Sequence, residues 1–414
     1  MAAVRALRWS RLRWSLLLAV AMSAAACGGG GGSSTSGTQP TQPTTPSNVA
    51  GVVVDEGPTG NSVNTLFVSV TVCAPGSTTS CQTIDHVQVD TGSYGLRLLA
   101  PVMTISLPVV SLSGGGTLAE CTQFVDGFSW GPIETADIQI GGEKASAVPI
   151  QAIGDSRYSN VPSDCSSTGP AEDTVATFGA NGILGIGPLP NDCPEGCENQ
   201  IVPATYYTCS TATSCANSTV PASDVVPNPV TRFATDNNGS IIVLPAVPNP
   251  AAGALTLTGS LIFGIDTQSN NASGTQTVLN VDSNAELMVT FNGQPLANSF
   301  IDSGSNGIYF MDTALAPCTT QGLTDFYCPS STVSLGLSIQ GVNGVMANNL
   351  TFEVANTETF LNANPTFNVF PDLAGTNPNE DSFDYGLPFF YGRRVAVAVQ
   401  GAITTVGTGP YIAF

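Results

Sequence analysis

Two short segments of this chain carry side chains suited to acid–base chemistry. Val89-Asp90-Thr91-Gly92-Ser93-Tyr94-Gly95-Leu96 and Ile301-Asp302-Ser303-Gly304-Ser305-Asn306-Gly307-Ile308 agree in residue type at seven of eight positions. Each runs from an apolar residue into Asp, a hydroxyl residue, Gly and Ser, then back to apolar residues. A single such tetrapeptide is ordinary turn chemistry. Two, far apart and in the same apolar setting, point to one site assembled from two copies. Two carboxyls held together cannot both ionise cheaply, so they share a proton. The ionised one serves as general base toward a bound water. The protonated one hydrogen-bonds to the carbonyl under attack and stabilises its oxyanion. Such a hydrolysis requires no nucleophilic side chain, metal or cofactor. Asp90 and Asp302 are therefore the candidate catalytic pair, and their titration belongs to the pair rather than to either member. Gly92 and Gly304 let backbone approach the carboxyls closely. Thr91 and Ser303 carry hydroxyls suited to bonding across the two loops, and Ser93 and Ser305 complete them.

The elements that position these loops read as strands. Short apolar or alternating runs recur at Leu66 to Val72, Val87 to Val89, Ala136 to Ile140, Leu255 to Ile265, Leu287 to Phe291 and Val395 to Val399. Gly, Pro, Asn and Ser clusters separate them, and helical periodicity is scarce. The 44 Gly and 29 Pro supply the turns of an all-β fold. Pro188 to Pro250 reads as a long excursion toward a lobe boundary, and Asn362 to Asp381 as a second, polar insert.

From the two Asp motifs onward the chain resembles the pepsin family. Asn181-Gly182-Ile183-Leu184-Gly185-Ile186-Gly187 is similar to the element that threads behind that family's first catalytic loop. Gly259 to Asp266 is similar to the strand opening its second lobe, and Ala285 to Asn292 leads into Phe300-Ile301-Asp302. Tyr385-Gly386-Leu387-Pro388-Phe389-Phe390 resembles the late apolar-Gly element. The likeness runs from about residue 60 to 414, with insertions near 188–250 and 362–381. It implies an all-β, bilobal fold of two pseudo-two-fold-related, barrel-like lobes: residues 51–250 with Asp90 and a flap, and 251–414 with Asp302. It also implies an aspartic-type endopeptidase that takes a peptide or protein as an extended strand in the cleft. Phe124 to Gly142 reads as a hairpin, with Phe124 where the family usually has a flap tyrosine and Trp130 as a source of a polar tip. Phe124 and Tyr94 depart from the family pattern. They motivate an alternative, a pepsin-like envelope protein that binds peptides or serves a structural or adhesive role without turnover.

Other chemistries find less in the sequence. His86, the one histidine, has no nucleophile-elbow Gly-x-Ser-x-Gly to serve. Asp236-Asn237-Asn238-Gly239 lacks the spaced acidic ligands of a calcium loop. Gly114-Gly115-Gly116 lacks the Lys and helix of a phosphate loop. Cys193-Pro-Glu-Gly-Cys197 has metal-like spacing, but export favours oxidation.

Export is read from the first residues. Arg5, Arg8, Arg11 and Arg13 precede a short apolar run, and Ala24-Ala25-Ala26-Cys27 resembles a bacterial lipobox, with an ordinary signal cleavage as the rival reading. Residues 1–27 are thus expected to be a lipoprotein signal with lipidation at Cys27. Residues 28–50 are expected to be a Gly/Ser/Thr/Pro tether. Gly28 after the cysteine resembles lipoproteins sorted to a Gram-negative outer membrane, so the expected location is outer membrane, periplasm or cell surface, as a monomer. Ten cysteines remain beyond Cys27, an even number. Cys73/Cys81, Cys193/Cys197, Cys209/Cys215 and Cys318/Cys328 read as local staples, leaving Cys121/Cys165. Four of the ten basic residues lie in the leader, which leaves six against thirty acidic ones. That balance carries no basic footprint for nucleic acid.

Overall fold

Alternation of buried and exposed residues, as in Val49–Val54 and Leu66–Cys73, marks strands that bury one face. The computed structural model describes residues 46–193 and 196–414; the expected signal, Cys27 and nearly all of the expected tether lie outside them. The tether expectation ran to residue 50, but the first strand starts at Val49, with the amide of the buried Asn48 donating to Phe263 O at 2.9 Å. Among the described residues the strands form sheets of fifteen, seven and two.

The two Asp motifs sit in matching frames. Cys81–Asp90 runs parallel to Gly182–Ile186, and Tyr94–Leu99 returns antiparallel along the same strand. Gln294–Ile301 likewise runs parallel to Asp384–Tyr385, and Ile308–Phe310 returns antiparallel to it. Each Asp loop thus connects two strands that flank a third. The third strand must pass close behind the loop, and glycine makes room: a Cβ at Gly185 would lie 2.5 Å from Tyr94 N, and one at Gly386 2.0 Å from Gly307 O. A further parallel strand borders each frame, Glu143–Ile153 in the first half and Ala374–Thr376 in the second.

The halves are joined by strands from both. Val49–Val54 pairs antiparallel with Leu257–Phe263, which pairs with Gly239–Val243, then Arg394–Ala398 and Tyr411–Ala413. Buried Val70, Val89, Leu96 and Leu184 pack behind the first loop. Behind the second, Phe310 stacks on Phe383 and meets Phe291 edge-on.

Three expectations are corrected. Phe124 to Gly142 is not one hairpin, because Phe128–Ile140 is a single 13-residue strand paired with Thr117–Gln123 before it and Glu143–Ile153 after it. The 188–250 excursion does not stand apart. Its hairpin Tyr206–Thr211/Ser214–Asn217 adds two strands to the edge at Thr117–Gln123, and its end, Gly239–Val243, is central to the joining sheet. Residues 362–381 are not merely a polar insert. Val369, Phe370, Leu373 and Ala374 are buried, and Ala374–Thr376 pairs in the frame of the second Asp loop. All five disulfides join the cysteines paired by the sequence reading.

Candidate functional site

Reciprocal hydrogen bonds clamp the two Asp loops to each other. Thr91 Oγ1 donates to Ile301 O at 3.0 Å, and Ser303 Oγ donates to Val89 O at 2.9 Å. Thr91 N donates to Ser303 Oγ at 3.1 Å, and Ser303 N to Thr91 Oγ1 at 3.0 Å. Every group in this ring is buried. Buried hydrogen bonds in a network are costly to leave unmade, so the ring fixes one loop against the other. Gln88 adds a bond from its side-chain amide to Gly304 O at 2.8 Å.

The ring brings Asp90 and Asp302 together, both fully buried. Their carboxyls hydrogen-bond to each other. Their surroundings are related as the loops are. Gly92 N donates to Asp90 Oδ1 and Gly304 N to Asp302 Oδ1, each at 2.7 Å. Ser93 Oγ donates to Asp90 Oδ2, and Ser305 Oγ lies 2.9 Å from Asp302 Oδ2. Close approach explains the glycines: a Cβ at Gly92 would lie 2.7 Å from the Asp302 carboxyl carbon, and one at Gly304 2.7 Å from Asp90 Oδ1. Burial, then the charge of Asp302 and its hydrogen bond, hold the Asp90 carboxyl well above the ordinary range, against the bonds from Ser93 and Gly92. Two carboxyls brought together in this way have the arrangement in which an acid–base pair shares one proton.

Side chains that the sequence reading did not single out support the pair. The buried carboxyl of Asp384 lies 2.7 Å from Ser305 Oγ, which puts a third carboxyl one hydroxyl away from Asp302. Asn64 donates to Asn306 O at 2.9 Å and accepts from Phe370 N at 2.7 Å, bracing the second loop from the first half. Arg97, fully buried three residues after Tyr94, bonds to Tyr94 O, to Thr122 Oγ1 at 2.8 Å, to Glu120 Oε1 at 2.6 Å and to Asp192 Oδ2 at 2.5 Å. It ties the first Asp loop to the strand Thr117–Gln123 and to the excursion. The sequence held a sign of this: Arg97 interrupts the apolar run Gly95-Leu96-Arg97-Leu98-Leu99, and a charge buried there must be paired.

A recess beside the pair is lined by Gly92, Ser93 and Tyr94, by Glu120 to Gln123, and by Asn284 from the second half. Phe124 and Trp130 are not among the residues lining it. Phe124 lies at the turn after Thr117–Gln123 and meets Phe178 edge-on. Trp130 is buried against Tyr207, its indole N–H donating to Tyr158 O at 2.7 Å, so its polar tip is already spent. Strand Thr117–Gln123, not Phe124 or Trp130, supplies Glu120 to Gln123 to the lining. Tyr94 is tucked in, with burial first and then Asp90 and Asp302 pushing its hydroxyl up. His86 stands away from the pair, 3.3 Å from Asp55. Asp236 turns inward and accepts from Gln268 Nε2 at 2.5 Å. Cys193 and Cys197 are joined by a disulfide rather than placed as separate thiolate ligands.

Comparison with solved structures bears on the fold. The fold is similar to that of the aspartic proteinase from Irpex lacteus, with a TM-score of 0.50 and 15% sequence identity, covering 88% of this chain and 96% of that one. The all-β architecture is the pepsin-like one expected from the sequence. No curated protein matches the sequence. Residues 44–414 match the family described as "Protein of unknown function (DUF3443)", and the chain belongs to that family.

Proposed function

We propose that this protein is an aspartic-type endopeptidase of the cell envelope. What carries the reading is the pair of buried, mutually hydrogen-bonded carboxyls of Asp90 and Asp302, held by reciprocal bonds between Thr91 and Ser303. An extended peptide lies along the cleft, with main-chain hydrogen bonds for affinity. One carboxylate takes a proton from a water as that water attacks the scissile carbonyl. The other carboxyl donates to the carbonyl oxygen as it becomes an oxyanion, and a proton then passes to the leaving amine. The buried setting strengthens each of these interactions. No cofactor enters this scheme. Export with lipidation at Cys27 would hold the protein at the outer membrane.

The test is cleavage of a mixed peptide pool by purified protein between about pH 3 and pH 7, the range over which carboxyl pairs titrate. Asp90→Asn and Asp302→Asn are each expected to lower kcat/KM by at least about a thousandfold, as loss of an essential acid–base group does. Unchanged cleavage in either variant would sink the reading.

Phe124, which has no hydroxyl and packs on Phe178 outside the recess lining, favours a second reading, peptide binding without turnover. It predicts peptide binding across the same pH range, no cleavage, and insensitivity to pepstatin-type inhibitors.

A further inference from the structure

The charges beside the recess do not balance. Arg97, Glu120 and Asp192 all line it, and all three side chains are at most 8% exposed. One guanidinium faces two carboxyls, and the two carboxyls lie within hydrogen-bonding reach of each other. If the cluster only tied the strand Thr117–Gln123 to the Asp90 loop, one carboxylate would satisfy Arg97. A second, buried in the same place, costs desolvation, which a neutral donor, Tyr206 Oη at 2.8 Å from Asp192 Oδ1, offsets without supplying a second positive charge. Glu120 Oε2 shows the excess directly, since it is buried and finds no hydrogen-bond donor among the described residues. Burial first, then the charge of Glu120, hold Asp192 well above the ordinary carboxylate range, against the pull of Arg97.

The recess is placed to receive a substrate side chain. Its floor includes Gly92 and Ser93, immediately after Asp90, and its far wall includes Asn284 from the other half. Its cavity volume is about 100 Å³, open to solvent at the mouth. Leu189 and Ala204 offer apolar wall for an aliphatic stem on the way to the carboxyls.

We propose that this recess is a subsite for a basic side chain, lysine or arginine, of the peptide in the cleft, whose cation faces the Glu120–Asp192 pair and supplies the donor that Glu120 Oε2 lacks. Arg97 then positions the two carboxyls and does not itself select. The acidic chain as a whole, thirty acidic residues to ten basic, draws such peptides in. The proposal rests on the cleft taking a peptide, and its test separates the two questions.

The probes are short peptides with a central non-cleavable Phe–Phe linkage, carrying lysine or norleucine at each flanking position in turn, together with cleavable counterparts. Calorimetry on the full protein is expected to show lysine binding about tenfold tighter than norleucine at one position, the gain expected of a partly buried ion pair. Glu120→Gln and Asp192→Asn, checked for unchanged melting, are expected to cut that advantage to about twofold or less. Equal or tighter binding of every norleucine peptide by the unmodified protein overturns the subsite, as does an advantage that survives in both variants. Lysine preference without cleavage of the counterparts leaves the subsite standing and removes the peptidase reading. Cleavage without preference does the reverse.

Discussion

At the scale of single residues, the Asp90–Asp302 pair is a liability for stability. Folding buries both carboxyls and raises Asp90 above its ordinary value, chiefly by desolvation and then by the charge of Asp302. The folded protein therefore holds a proton at Asp90 that the unfolded chain releases near pH 4. With more protons bound in the folded state, stability falls as pH rises through that window. Asp90→Asn removes the ionisable group while keeping the side chain's shape. Its melting temperature is expected to exceed the parent's at pH 7, with the difference fading below about pH 4. Thermal unfolding at both pH values checks this, and a variant that melts lower than the parent at pH 7 contradicts it.

At the scale of elements, the strand Thr117–Gln123 does the most to shape the site. It borders the recess, contributes Glu120 and Thr122 to Arg97, and gains an outer neighbour from the excursion hairpin. The Cys121–Cys165 disulfide ties it to the short helix Ser163–Ser166 across 44 residues of chain. Closing a loop of that length stabilises by up to about 4 kcal/mol through the unfolded chain. Replacing both cysteines with serine is expected to cost about 3 kcal/mol in denaturant unfolding. A double variant as stable as the parent would show that the bridge adds nothing to the hydrogen-bonded sheet.

At the scale of the whole molecule, charge sets the pH response. Beyond the leader, six basic residues face thirty acidic ones, so carboxylates repel one another at neutral pH. Asp192, Glu134, Glu143 and Glu286 join Asp90 in being pushed up, each foremost by burial, and Asp372 is pushed up to about 6 by burial and Glu353. Each of these contributions favours the fold at low pH and is lost as pH rises. Asp266 runs the other way. Burial would raise it, but hydrogen bonds from Ser273 and Thr405 outweigh that and lower it to about 2. Its stabilisation is present above the unfolded value and disappears only as pH falls toward 2. The melting temperature is therefore expected to peak near pH 4 to 5, about where carboxyls titrate, and to be lower at pH 7.5. About 0.5 M NaCl should raise it more at pH 7.5 than at pH 5, because salt screens exposed like charges. Melting curves across that grid decide it, and a maximum at pH 7 or above would refute it.

The sequence by itself determined the β architecture and the two Asp loops, and it suggested cysteine pairs whose connectivity the structure decided. These signals are local: alternation, turn residues, a motif written twice, and cysteines mostly close along the chain. The threading strands at Gly182–Ile186 and near Tyr385 were expected through the resemblance to the pepsin family, and the glycines in them make room for the Asp loops. The clamp between Thr91 and Ser303 was foreseen from their hydroxyls alone. Tertiary structure decided what borders the pair. Phe124 and Trp130 could face the cleft or pack into the hairpin on sequence grounds, and ring positions depend on which neighbours remain to be covered, here Phe178 and Tyr207. The excursion looked separate because edge pairing with Thr117–Gln123 joins residues some ninety positions apart, beyond any local pattern. Arg97 announced that a buried charge needed partners. That those partners are Glu120 and Asp192, one carboxyl more than it needs, followed only when three distant segments met beside Asp90.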